Sequence, residues 1–277
     1  MIQEIFPHRF DNHYQPGEEI GEQDFILHYK GNTLLLKTNG DELELPKKQD
    51  LPTLTAQSQT TFLFTLNDVS CFIVWDEPVD YDTTLSYQEI SFFRTASRKE
   101  MAWVSIVGYH LRNWYAEHRF CGKCGAKTYH KADERALVCT ECNTHFFPKI
   151  SPAIIVAITC GDKILLARNV SFVAGRYALI AGYADVGETL EETVIREVKE
   201  EVGLDVKNIR YYKSQPWPLS GSLMIGFIAE ADETQPIVTD EHEIAEAAWF
   251  SSDNLPDYPS PVSIAGEMIG KFERGEL

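Results

Sequence analysis

Gly182-Tyr183-Ala184-Asp185-Val186-Gly187-Glu188-Thr189-Leu190-Glu191-Glu192-Thr193-Val194-Ile195-Arg196-Glu197-Val198-Lys199-Glu200-Glu201-Val202-Gly203-Leu204 is the stretch that decides the reading of this chain. Thr189-Leu190-Glu191-Glu192 has the form of a capping box, which places a helix start at Thr189. Gly203 suits the left-handed residue that ends it. Val194, Val198 and Val202 recur every four residues as the buried stripe, with Ile195 extending it. Glu197, Glu200 and Glu201 then occupy an adjacent arc, centred about 100° from that stripe. They are expected to line a cleft margin, away from the core. Like charges so placed repel by a few tenths of a kcal/mol per pair, so the face calls for a cation. Hard carboxylate oxygens suit Mg²⁺ or Mn²⁺, and Mg²⁺ is commonly shared with substrate phosphates. Arg196, four residues before Glu200, is placed to pair with a carboxylate. Gly182 and Gly187 bracket a loop that lets backbone approach the same place. A solvated acidic helix is the plain alternative.

Upstream, Cys121-Gly122-Lys123-Cys124 and Cys139-Thr140-Glu141-Cys142 are separated by fourteen residues. Two C-x₂-C knuckles at this distance match a Cys₄ zinc ribbon holding one structural Zn²⁺. A disulfide framework conflicts with the lack of an export signal, and a redox pair needs no second copy. Four thiolates leave no open position on the metal, so it is scaffolding. Cys71 and Cys160 are expected to be buried in apolar strands.

The formal charge of −17, from 25 Lys and Arg against 42 Asp and Glu, argues against broad electrostatic binding of DNA, RNA or an anionic membrane surface. Apolar runs such as Ala153–Ile158 and Leu223–Ala229 are too short to span a bilayer. No basic region followed by an apolar one opens the chain, which predicts a cytoplasmic protein.

Residues 1–117 read as an α+β domain. Hairpins are predicted around Lys30-Gly31-Asn32, Asn39-Gly40-Asp41 and Asn67-Asp68, and a helix over 97–117 from Met101, Val104, Val107, Leu111 and Trp114. The ribbon takes 118–148. Residues 149–277 mix strands with the acidic helix and a final helix over Pro261–Arg274, with Pro261 in its first turn.

The joint pattern of Gly182, Glu188, Arg196-Glu197, Glu200-Glu201 and Gly203 resembles the Nudix box at every position. The resemblance implies an α/β/α sandwich with a mixed sheet and hydrolysis of a nucleoside diphosphate linked to another group. Ser214-Gln215-Pro216-Trp217-Pro218 and the following Ser222 are similar to the signature of the Nudix NAD(H) diphosphatases, which also carry a zinc ribbon. The family's Phe-Pro is replaced here by Leu219-Ser220. This second resemblance implies substrate contacts from Phe147, Tyr183, Gln215, Pro216, Trp217, Pro218, Ser222, Met224, Ala265 and Arg94. It also implies two or three Mg²⁺ or Mn²⁺ ions on Glu197, Glu200, Glu201 and the Ala181 carbonyl, with Glu243 as a further ligand or general base. The loop Asp240-Glu241-His242-Glu243-Ile244-Ala245-Glu246 is the candidate source of that carboxylate, with plain surface acid as the even alternative for Glu241 and Glu246. The implied reaction gives AMP and nicotinamide mononucleotide, in a homodimer. Removal of NAD caps from RNA, another dinucleotide substrate, and a non-catalytic nucleotide sensor are the alternatives.

Overall fold

Ser151–Cys160 alternates two sets of apolar side chains, both buried, as expected of a strand covered on each face. Ile154, Val156 and Ile158 join one core cluster with Val194, Val198 and Val202, whereas Ile155 and Ala157 join another with Ile264, Met268 and Ile269. In this computed structural model, which describes residues 1–39, 42–55, 57–78 and 81–277, that strand is the centre of a mixed sheet. The sheet's strands are β1 (Ser151–Cys160), β2 (Lys163–Asn169), β3 (Ile180–Tyr183), β4 (Lys207–Trp217), β5 (Ser222–Glu230) and β6 (Ile244–Ser251). Their order is β4-β5-β1-β2-β6, with β3 paired to β1. The β1–β5 pair is parallel and the others are antiparallel. One helix covers each face, which makes the α/β/α sandwich that the resemblance implies.

The acidic segment forms the helix Leu190–Val202, here α2 in chain order after Lys99–Glu117 (α1). Its caps are those the sequence predicts. Thr189 Oγ1 accepts from Glu192 N, the Glu192 carboxylate accepts from Thr189 N at 2.7 Å, and Gly203 sits at φ 74°. Thr189→Ala should therefore lower the unfolding free energy by about 1 kcal/mol, read from the urea midpoint. Val194, Val198 and Val202 are fully buried as expected. Ile195 is 49% exposed and does not extend the stripe; Thr193, on the other flank of Val194, is fully buried. Glu201 departs from the expected cleft margin, since it is only 8% exposed. The last helix, α3 (Ile264–Glu273), is capped by Ser263, whose hydroxyl accepts from Gly266 N. Pro261 therefore lies before the cap and outside the first turn. Cys160, at the end of β1, is half-buried and not enclosed as expected.

This sheet and its helices belong to a unit of Met1–Ile2, Ile150–Trp217 and Gly221–Leu277; Gln3–Lys149 with Pro218–Ser220 form a second unit. In the second unit, Phe10–Asp11, Thr60–Leu66, Val69–Val74 and Phe25–Leu27 form one sheet. Tyr29–Lys30, Thr33–Asn39, Glu42–Glu44 and Leu85–Glu89 form another. His28 separates the strands Phe25–Leu27 and Tyr29–Lys30. Asn67 and Asp68 both adopt positive φ, as a two-residue hairpin turn requires. Gly40 and Asp41 of the predicted Asn39-Gly40-Asp41 turn lie outside the described residues. The ribbon contributes Thr128–His130, Leu137–Cys139 and His145–Phe146. Among the described residues no helix is long and apolar enough to cross a membrane.

Candidate active site

Strand β3 ends beside α2, and a glycine makes that approach possible. A Cβ built on Gly182 would lie 2.0 Å from Glu197 Cδ, so any side chain there displaces the carboxylate. Gly182→Ala should therefore cut turnover by about tenfold or more, a loss of placement in a catalytic group. The measurement is kcat beside an unchanged far-ultraviolet circular dichroism spectrum.

Arg196 organises the rest. Its Nε donates to Glu188 Oε1 (2.5 Å) and Nη2 to Glu188 Oε2 (3.0 Å), while Nη1 reaches Glu197 (2.7 Å) and Glu200 (3.0 Å). Nη2 also donates to the Tyr183 carbonyl at 2.9 Å, so all five guanidinium N–H groups have acceptors. Glu188 is held in turn by Asp185 N and Thr193 Oγ1. These bonds, led by Arg196, draw the Glu188 carboxyl down to about 2. Sequence reading placed Glu188 in the motif without a role, because it lies on the loop and helical spacing cannot connect it to Arg196.

Glu201 is the buried member of the acidic face. Burial pushes its carboxyl up to about 8, with the charges of Glu197, Glu243, Asp240 and Glu200 adding to the effect. The 238–243 loop is tied to this end of α2 by Val238 N to Val202 O (3.0 Å) and Asp240 N to Glu201 O (3.1 Å). That tether brings Asp240 and Glu243 to Glu201. Asp240 opens the candidate loop of the sequence reading, which favours Glu243 within it. Glu243 is exposed, and its carboxylate has no hydrogen bond or ion pair among the described residues. Glu246 instead pairs with Arg168 at 2.5 Å on the adjoining strand, and Glu241 is exposed. Carboxylates and a backbone carbonyl are hard oxygen donors, and crowding around Glu201 is what a divalent cation would relieve. The chemistry of these donors suits such an ion, although among the described residues only the ribbon cysteines bring three or more ligand atoms within 4.8 Å of one another.

On the opposite face of the sheet, Tyr183, Ala153, Met224 and Gln215 share one row across β3, β1, β5 and β4. Tyr183 Oη lies 3.0 Å from Ser222 Oγ, and Ser222 pairs with Trp217. Gln215 is fully buried, with Nε2 donating to Val262 O (2.9 Å) and Oε1 accepting from Ile264 N (2.7 Å). Its amide thus fastens β4 to the start of α3, where Ala265 is buried. Pro216 is exposed and Trp217 half-buried. Pro218 is buried and belongs, like Phe147 and Arg94, to the other unit.

In that unit the four ribbon cysteines place their sulfurs within 4.8 Å of one another, with Cys124 Sγ 3.4 Å from Cys139 Sγ and 3.5 Å from Cys142 Sγ. Tetrahedral zinc with Zn–S bonds of about 2.3 Å requires S···S separations of about 3.8 Å. Backbone N–H groups of Lys123 and Glu141 point at Cys121 and Cys139 sulfurs, as thiolates require. The cluster fits one structural Zn²⁺.

The NUDIX domain family matches residues 149–267, the NADH pyrophosphatase zinc ribbon domain 116–147, and the NADH pyrophosphatase-like rudimentary NUDIX domain 23–114. The last was not legible in the sequence, and its helix α1 carries only Glu100 and Glu117 in place of an acidic face. The NAD-capped RNA hydrolase NudC of Citrobacter koseri is 43% identical over 182 residues, covering 66% of this chain and 67% of that protein. Its namesake from Pseudomonas aeruginosa (strain LESB58) is 46% identical over 169 residues, covering 60% of each. A crystal structure of a NUDIX hydrolase from Nitrosomonas europaea aligns at 21% identity and a TM-score of 0.48, over 56% of this chain and 91% of that one. With its ribbon, its acidic helix and its rudimentary N-terminal domain all matched, the chain belongs to the NADH pyrophosphatase family of NUDIX hydrolases.

Proposed function

We propose that this protein hydrolyses the pyrophosphate of NAD(H) with the help of Mg²⁺ or Mn²⁺, giving AMP and nicotinamide mononucleotide. The observation that carries the reading is the α2 carboxylate face, in which buried Glu201 feels the charges of Glu197, Glu243 and Asp240 and has no ion pair among the described residues. Glu197, Glu200, Glu201 and Glu243, with the Ala181 carbonyl, would hold the ions. Bound there, divalent cations neutralise pyrophosphate charge and make water a stronger nucleophile. Arg196 is a positioning residue, holding Glu197 and Glu200 on one side and the Glu188 loop on the other. Water adds to the adenylyl phosphorus and the bond to the bridging oxygen breaks. Glu243 is available as a ligand or as acceptor of the water's proton.

For the dinucleotide, Tyr183, Trp217, Ser222, Met224 and Ala265 provide aromatic and small surfaces at one end of the sheet. Gln215 acts indirectly, by setting the position of the α3 start. Phe147, Pro216, Pro218 and Arg94 are carried as substrate contacts by the family resemblance.

The names of the relatives favour a second reading, in which the same diphosphate is cleaved at the 5′ end of NAD-capped RNA. Turnover on free NADH and on NAD-capped RNA at matched concentration decides between them. Faster turnover on NADH supports the first reading; exclusive turnover of the RNA overturns it. A cytoplasmic homodimer is part of the same proposal. Light scattering behind size exclusion should give twice the 31.5 kDa chain mass.

A further inference from the structure

The N-terminal unit contains a cleft of about 400 Å³ where α1 runs into the zinc ribbon. Trp75, Tyr115, Phe120 and His130 supply its aromatic lining, and Arg119 and Lys127 its charge. None of the lining residues is a carboxylate, in a chain whose net charge is −17. Among the described residues neither Arg119 nor Lys127 has an ion pair, and both are exposed. Their spacing is fixed by backbone: Thr128 N donates to Arg119 O at 3.1 Å, and Phe120 and Lys127 face each other across a β-bridge. Phe120 is 56% exposed at the cleft. His130 and Tyr115 stack at 4.9 Å with planes 9° apart. Tyr115 is 4% exposed, and its hydroxyl faces the Arg135 guanidinium.

We propose that this cleft binds a nucleotide, taking a base against its aromatic rings and the adjoining phosphate at Arg119 and Lys127. Aromatic faces accept any base by stacking, and unpaired cations next to them hold the phosphate. The volume lies within the range of small-ligand sites. A free nucleotide and the nucleotides of a single-stranded RNA offer the same chemistry. The site does not depend on the glutamate face for its argument.

The test compares the full-length protein with Arg119→Ala/Lys127→Ala and with Phe120→Ala. The probes are 5′-phosphorylated hexaadenylate RNA, followed by fluorescence anisotropy, and AMP, followed by equilibrium dialysis. The double variant is expected to weaken RNA binding at least about tenfold, and to reduce the slope of log affinity against log salt by about 1.4, for two lost phosphate contacts on a single strand. Phe120→Ala is expected to weaken it by about tenfold through lost stacking. A matching loss of AMP identifies the free nucleotide as sufficient; loss confined to RNA identifies the strand. NADH turnover, read on the same samples, stays unchanged in both variants, so this proposal and the catalytic one fail separately. Should the double variant lose its zinc, the exposed Phe120 substitution decides. Wild-type affinity for both probes in Phe120→Ala and in a zinc-replete double variant would overturn the proposal.

Discussion

Glu201→Gln should reduce kcat on NADH at least about 100-fold, the scale of a lost catalytic group. The substitution keeps shape and volume while removing one charge from a buried position surrounded by Glu197, Glu243, Asp240 and Glu200. Above about pH 8, where the Glu201 carboxyl is charged, the variant relieves repulsion among these groups, so the melting temperature of the metal-free variant there should equal or exceed that of the parent. The combination is diagnostic, because a destabilising change would lower both activity and melting temperature. Turnover within a few-fold of the parent would remove Glu201, and with it the acidic face, from the reaction.

The second large effect belongs to the ribbon. Cys139→Ser removes one of four thiolates from an element whose strands span only Thr128–His130, Leu137–Cys139 and His145–Phe146. Such short strands bury little, and structural zinc supplies about 10–16 kcal/mol in peptides of comparable size. Elemental analysis should show zinc falling from one per chain to nearly none. Hydrogen exchange across residues 118–148 should speed up over the same segment. Preserved protection without zinc would contradict a metal-dependent fold.

What could be read from the sequence was local. Thr189, Glu192 and Gly203 announce the ends of α2 because capping involves residues three or four apart. The cysteine spacing announces the ribbon for the same reason. The valine stripe was legible at spacing of four, yet Ile195 was misplaced and Glu201 was expected at a margin. The periodicity gives an angle around the axis but not how far the sheet and the 238–243 loop wrap the helix. Strand β3, only four residues long with a glycine inside, carries no alternation to detect. Its role appears only once Gly182 is seen against Glu197, a contact fifteen positions apart in sequence. Gln215 shows the same limit. It belongs to a motif associated with substrate, yet both ends of its amide bond the backbone around α3. Pairings such as β1 with β5, some seventy residues apart, leave no mark in either strand.

Chromatography of NADH incubated with the protein and Mn²⁺ shows whether the α2 face makes this protein a metal-dependent NAD(H) diphosphatase. AMP and reduced nicotinamide mononucleotide are expected in equal amounts, and neither when the ion is chelated. Unchanged NADH, or nicotinamide released with an intact pyrophosphate, would contradict it.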